Sequence, residues 1–101
     1  TLPFIAAKSA GDSGHDVVVW LWNEAVNLAR EGVADHVTGV NLTPLSDVLM
    51  AVQLAGIPIW VCSACAVARG IQAEDLVAGA EIKGMPDYIA AVAQRERNVA
   101  F

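Results

Sequence analysis

Cys62 and Cys65 are the only two cysteines in this 101-residue chain, and they lie three residues apart in the segment VCSACAVARG. A thiolate is a strong nucleophile toward persulfides and disulfides, and a close pair of cysteines can also bind a metal or form a redox-active disulfide. Free cysteines are equally often small, buried and inert residues. The chemistry therefore depends on where the fold places these two thiols.

An apolar segment at 57–61 precedes Cys62, and a helix is predicted from there to Gly70, which suits a helix end. Cys62 is therefore expected at the carboxyl end of a buried strand, the edge where open α/β sheets collect their sites. The free N–H groups of a helix start favour an anion there, so we predict an accessible, partly anionic Cys62. Arg69 lies one helical turn after Cys65, where it could act as a cation or could bind the last carbonyls of its own helix.

The elements around the cysteines alternate between helix and strand. The segment 16–23 is apolar on both alternating sets of side chains, which is typical of a strand inside a parallel sheet with helices on both faces. The helix before the cysteines has Thr43 as its expected N-cap, Pro44 as its first residue and Gly56 as its end. Helices are predicted at 1–11 (with Gly11 as the end), 24–32, 44–55, 63–69 and 86–96, a helical turn at 73–78, and strands at 16–23, 57–61 and 98–101. This pattern predicts an α/β fold with a mainly parallel sheet, in a single domain spanning 1–101.

Composition and charge exclude several classes of function. The net charge is −5 and no basic cluster exists, so nucleic acid is not an expected partner. No apolar run is long enough to predict a membrane span, and the first residues lack the pattern of a signal peptide, so neither is expected. A cytoplasmic location, where thiols stay reduced, is the expected one. Hydrophobic residues make up 55% of the chain and charged residues only 17%, which predicts that part of the surface is covered by other copies of the chain.

Metal and cofactor sites are not indicated. A zinc site would need two ligands besides the cysteines, and His15 and His36 lack the spacing of such ligands. We therefore predict no metal and no cofactor. The segment GDSG at 11–14 is interpreted as a turn and not as a protease nucleophile loop. The tryptophans at 20, 22 and 60 are interpreted as core or subunit contacts.

The segment IPIWVCSACAVARGI resembles the DsrE/DsrF-like family of small sulfur-relay proteins, which share an apolar strand, a cysteine, and an Arg-Gly pair seven and eight residues later. Here these residues are Cys62, Arg69 and Gly70, and one branch of the family also has the second cysteine, matching Cys65. The segments AAKSAGDSGHDVVVWLWNEAVNLA, LSDVLMAVQLAGIPIWVC and NVAF resemble other parts of the family. Family chains usually begin with a strand before the first helix, so an N-terminal strand is expected to be missing from this sequence.

The resemblance implies a three-layer α/β/α sandwich assembled as trimers or hexamers. It also implies a sulfur carrier that takes a sulfane sulfur on Cys62 as a persulfide and passes it from a donor protein to an acceptor protein. Cys65 would resolve the persulfide as an intramolecular disulfide, and Ser63, Arg69 and Gly70 would support the site. Two alternatives remain open: an oligomeric binding or scaffold protein with inert thiols, and a CxxC thiol–disulfide redox protein.

Overall fold

A computed structural model describes residues 2–37 and 42–95 of the chain. The elements, in chain order, are α1 (Leu2–Asp12), β1 (Val19–Leu21), two 3₁₀ segments (Asn23–Ala29 and Ala34–His36), α2 (Leu45–Leu54), β2 (Ile59–Cys62), α3 (Ser63–Ala68), a third 3₁₀ segment (Ala73–Asp75), β3 (Ala80–Lys83) and α4 (Met85–Gln94). None of the helices within these described ranges is long and apolar enough to cross a membrane.

The three strands form one parallel sheet in the order β1-β2-β3. Val61 of β2 is in register with Leu21 of β1 and with Ile82 of β3. The strand that leads to the cysteines is therefore the central one, with hydrogen-bonded neighbours on both sides. The prediction of an α/β fold with a parallel sheet is confirmed.

The two faces of the sheet differ in what covers them. Val19, Leu21, Ile59 and Val61 are buried on one face, in a core shared with apolar residues of α1 and α2. On the other face, the Trp20 ring lies 4.9 Å from the ring of Tyr88 in α4, measured between centroids. Side chains alternate between faces along a strand, so β1 is apolar on both faces as the sequence pattern predicted, but the second face is only partly covered.

Glycines end three of the helices. Gly56 and Gly70 take the left-handed conformation, with φ of +72° and +67°, just after α2 and α3, as predicted. The predicted end of α1 at Gly11 is wrong, because α1 continues to Asp12 and Gly14, with φ of +85°, closes it. Glycine adopts positive φ without steric cost, so Gly14 is the better helix end.

Other element predictions needed correction. The helix predicted at 24–32 is a 3₁₀ segment that ends at Ala29, the strand predicted at 16–23 shortens to β1, and the N-cap of α2 is Pro44 in place of Thr43. Strand β3 was missed, because two of its four residues are charged and alternate with Ala80 and Ile82, which leaves little apolar pattern. The terminal strand predicted at 98–101 lies outside the described residues.

Candidate thiol site

The carboxyl ends of the three parallel strands bring the site residues to one edge of the sheet. β1 ends at Leu21 and is followed by Trp22 and Asn23, β2 ends at Cys62, and β3 ends at Lys83. Sequence reasoning placed Cys62 at such an edge, and the structure puts it there.

Cys62 is the last residue of β2 and the N-cap residue of α3. Its side chain makes no capping hydrogen bond to the helix, and only 5% of the residue is exposed. The expectation that the Cys62 thiol is open to solvent is therefore wrong for the single chain. The helix is also only six residues long, so its dipole contributes little to stabilising a thiolate.

Lys83 is the cation nearest to Cys62 in the sheet. The two residues are register partners on neighbouring strands, which run about 4.8 Å apart in a sheet. Alternation puts their side chains on the same face as Trp60, and the Lys83 ammonium lies 5.4 Å from the centroid of the Trp60 ring. The ammonium is also 3.5 Å from Glu81 Oε2, and 32% of the Lys83 side chain is exposed. Cys62 is thus a buried residue on the face of the sheet that also carries Trp60 and Lys83.

Cys65 lies in the first turn of α3 and is partly exposed. Its Sγ accepts a hydrogen bond from the backbone N–H of Asn23, with 3.1 Å between nitrogen and sulfur. Asn23 has φ of +52° and is the only non-glycine residue with positive φ in the part of the chain that the structure describes. Asparagine tolerates this left-handed conformation better than most residues do. A short loop after β1 therefore aims an amide at the second cysteine.

Arg69 joins the helix that carries Cys65 to the segment that follows Asn23. Its Nη1 donates to the Cys65 carbonyl at 3.2 Å, and its Nη2 lies 2.8 Å from Glu24 Oε1. The interpretation that Arg69 binds a carbonyl of its own helix is confirmed, and the ion pair with Glu24 is an additional contact. Gly70 closes α3 directly after Arg69, and Ser63 is the partly exposed first residue of the same helix.

The two cysteines are both free thiols in the structure. Within the described ranges, no group of three or more His, Cys, Asp or Glu side chains is arranged to hold a metal ion. The chemistry that this edge offers is therefore that of two thiols, one buried with a lysine as its register partner and one partly exposed and bonded to a backbone amide.

An aromatic cleft of about 670 Å³ lies on the face of the sheet that carries Trp20 and Trp60. The rings of Trp20, Trp22 and Tyr88 pack against one another along it in edge-to-face and tilted arrangements, with centroids 4.9–6.5 Å apart. Trp22 is 41% exposed, whereas Trp20 and Trp60 are partly buried. The tryptophans thus belong to a half-open surface next to the thiol edge.

Sequence reasoning missed two residues of this edge. Lys83 was missed with β3, although the glycines at 79 and 84 frame that strand and Ile82 gives it an apolar position. Asn23 was missed because its contribution is a backbone amide, which no side-chain pattern reveals. The only local indication is that Asn is among the residues that adopt left-handed backbone.

A small α/β protein with a cysteine at the carboxyl edge of a parallel sheet is the class that the fold and the site define. The DsrE/DsrF-like family model matches residues 1–101, and the chain belongs to this family.

Two comparisons extend this result. An uncharacterized protein of Methanocaldococcus jannaschii, MJ0760, is 31% identical over 71 residues, which are 70% of this chain and 26% of that protein. The chain thus spans about a quarter of the length of that relative. The crystal structure of the YchN protein from E. coli superposes with a TM-score of 0.75, covering 99% of this chain and 80% of that one at 18% identity. This likeness shows that the two proteins share a fold.

Proposed function

We propose that the protein is a sulfur carrier that holds a sulfane sulfur as a persulfide on Cys62. One observation carries the proposal: a DsrE/DsrF-like chain places Cys62 at the carboxyl edge of its parallel sheet, one helical turn from a second free thiol. Arg69 and Gly70 follow at the spacing that the family resemblance requires, and both support α3.

The burial of Cys62 suits the storage of a persulfide. A persulfide is lost when another thiolate attacks it, in a reaction related to thiol–disulfide exchange, and the rate of such attack depends on access. A sulfur held at a residue that is 5% exposed is shielded from small thiols in solution. In this proposal, Lys83 stabilises the negative charge of the persulfide from the neighbouring strand.

Replacing Lys83 should weaken loading of the thiol site. We expect Lys83→Met to lower the yield of loaded protein about fivefold, because a charge on the neighbouring strand contributes on the order of 1 kcal/mol once Glu81 and solvent screening are taken into account. The measurement is the loaded fraction by intact mass spectrometry at fixed donor concentration. Lys8→Met is the matched control, since Lys8 pairs with Asp12 on α1. Equal loading of the two variants would show that Lys83 does not stabilise the persulfide.

The assembly that we propose is a homo-oligomer, a trimer or a hexamer. Several large apolar side chains are exposed on the outer faces of the helices: Met50, Leu54, Val67, Met85 and Ile89. Such exposure on a chain this apolar supports burial between copies. The donor and the acceptor of the sulfur would be other proteins, in a cytoplasm that keeps both thiols reduced.

The test of the function is the mass of the protein after exposure to a sulfane-sulfur donor. Purified protein is incubated with glutathione persulfide, the donor is removed, and the intact mass is measured. We expect a gain of one sulfur atom, absent from protein whose thiols were first blocked with iodoacetamide. An unchanged mass in the unblocked protein would refute the carrier and favour the second candidate, an oligomeric scaffold with inert thiols, which the burial of Cys62 also fits.

A further inference from the structure

We infer that sulfur enters the protein through Cys65 and is then passed to Cys62, with the Asn23 amide as the group that positions and stabilises the entering thiolate. The inference rests on the proposed function and assigns different steps to the two thiols. It begins from their difference in exposure, because Cys65 is partly exposed while Cys62 is buried. A bulky donor reaches an exposed thiol far more readily than a buried one.

The hydrogen bond at Cys65 supports the same order of steps. An N–H directed at sulfur stabilises negative charge on it, and the thiolate is the form that attacks. The Asn23 N–H lies 3.1 Å from the Cys65 sulfur, whereas the Cys62 side chain makes no bond to the helix that it caps. The better-prepared nucleophile is therefore Cys65.

The loop that presents this amide is tied to the helix of Cys65. Asn23 holds a left-handed conformation, which directs its N–H toward α3. The next residue, Glu24, pairs with Arg69, whose other nitrogen binds the carbonyl of Cys65. One arginine thus binds both the residue after the amide donor and the residue that carries the thiol, which holds the two segments of the N–H···S contact together.

The two steps conserve sulfur and need no oxidant. The Cys65 thiolate attacks the terminal sulfur of glutathione persulfide, an S–S bond forms at Cys65, the donor S–S bond breaks, and glutathione leaves as the thiolate with the electron pair. Cys62 then attacks the terminal sulfur of the Cys65 persulfide, and Cys65 leaves as a thiolate that takes the proton Cys62 gives up. Cβ atoms three residues apart near a helix start are about 5–6 Å from each other, which is compatible with transfer between the side chains.

The experiment compares initial rates of sulfur uptake from glutathione persulfide by time-resolved intact mass. We expect Cys65→Ser to take up sulfur at least about tenfold more slowly than wild type, and Cys62→Ser to react at close to the wild-type initial rate. Wild-type uptake with an unchanged rate in Cys65→Ser would overturn the inference and leave the carrier function intact. A wild type that takes up no sulfur would instead refute the function itself.

Variants of Asn23 test the amide separately from the thiol. Glycine adopts left-handed backbone readily, so Asn23→Gly should keep about half or more of the wild-type rate. A β-branched residue disfavours this conformation, so Asn23→Val should move the amide and slow uptake about fivefold or more. Both Asn23 substitutions are also made in a Cys62→Ser background, where Cys65 is the remaining thiol. The rate at which iodoacetamide alkylates Cys65 then separates an effect on this thiol from a loss of stability. Equal alkylation rates in the Gly and Val variants would show that the Asn23 amide does not affect the reactivity of Cys65.

Discussion

Replacing Ile59 with alanine should lower the free energy of unfolding by about 2–5 kcal/mol, the range found for truncating a fully buried isoleucine. Ile59 is 0% exposed in β2, the central strand, and its register partners are Val19 and Ala80. The truncation leaves a cavity between the sheet and the helices packed on its buried face, and the backbone of β2 is held by strands on both sides, so the surrounding chain can close the cavity only in part. Urea denaturation followed by circular dichroism measures the change.

Glu74→Ala is the control, because it shortens an exposed side chain of the third 3₁₀ segment that is not among the apolar residues proposed to be covered by other copies. We expect a change within about 0.5 kcal/mol, the usual range for surface substitutions. A loss at Ile59 no larger than the loss at Glu74 would contradict the placement of β2 in the centre of the core.

The secondary structure on both sides of Cys62 could largely be predicted from the sequence. The apolar run before the cysteine identified β2, and Gly70 identified the end of α3, because both are local patterns with a local physical cause. The position of Cys62 at the junction of a strand and a helix followed directly from them.

The surroundings of the thiols could not be predicted in the same way. Lys83 comes beside Cys62 through strand pairing, and Asn23 meets Cys65 from 42 positions earlier in the chain. Such contacts are set by tertiary packing and not by local spacing. The burial of Cys62 was also missed, since a position at the edge of a sheet does not determine how closely the neighbouring elements cover the residue.

Replacing Cys62 with serine should abolish the retention of sulfur. Serine removes the sulfur atom and nearly preserves the size of the side chain, so the core beside β2 should be kept. A persulfide formed on Cys65 in this variant is partly exposed and open to attack by added thiol, whereas one on Cys62 is shielded. Cys65→Ser is the control, and it should retain sulfur on Cys62 once slow loading is complete.

The most direct measurement is the sulfane sulfur that cyanide releases as thiocyanate after loading, donor removal and a brief wash with glutathione. We predict about one sulfur per chain for the wild type and almost none for Cys62→Ser. Equal amounts of releasable sulfur in the two proteins would contradict storage on Cys62.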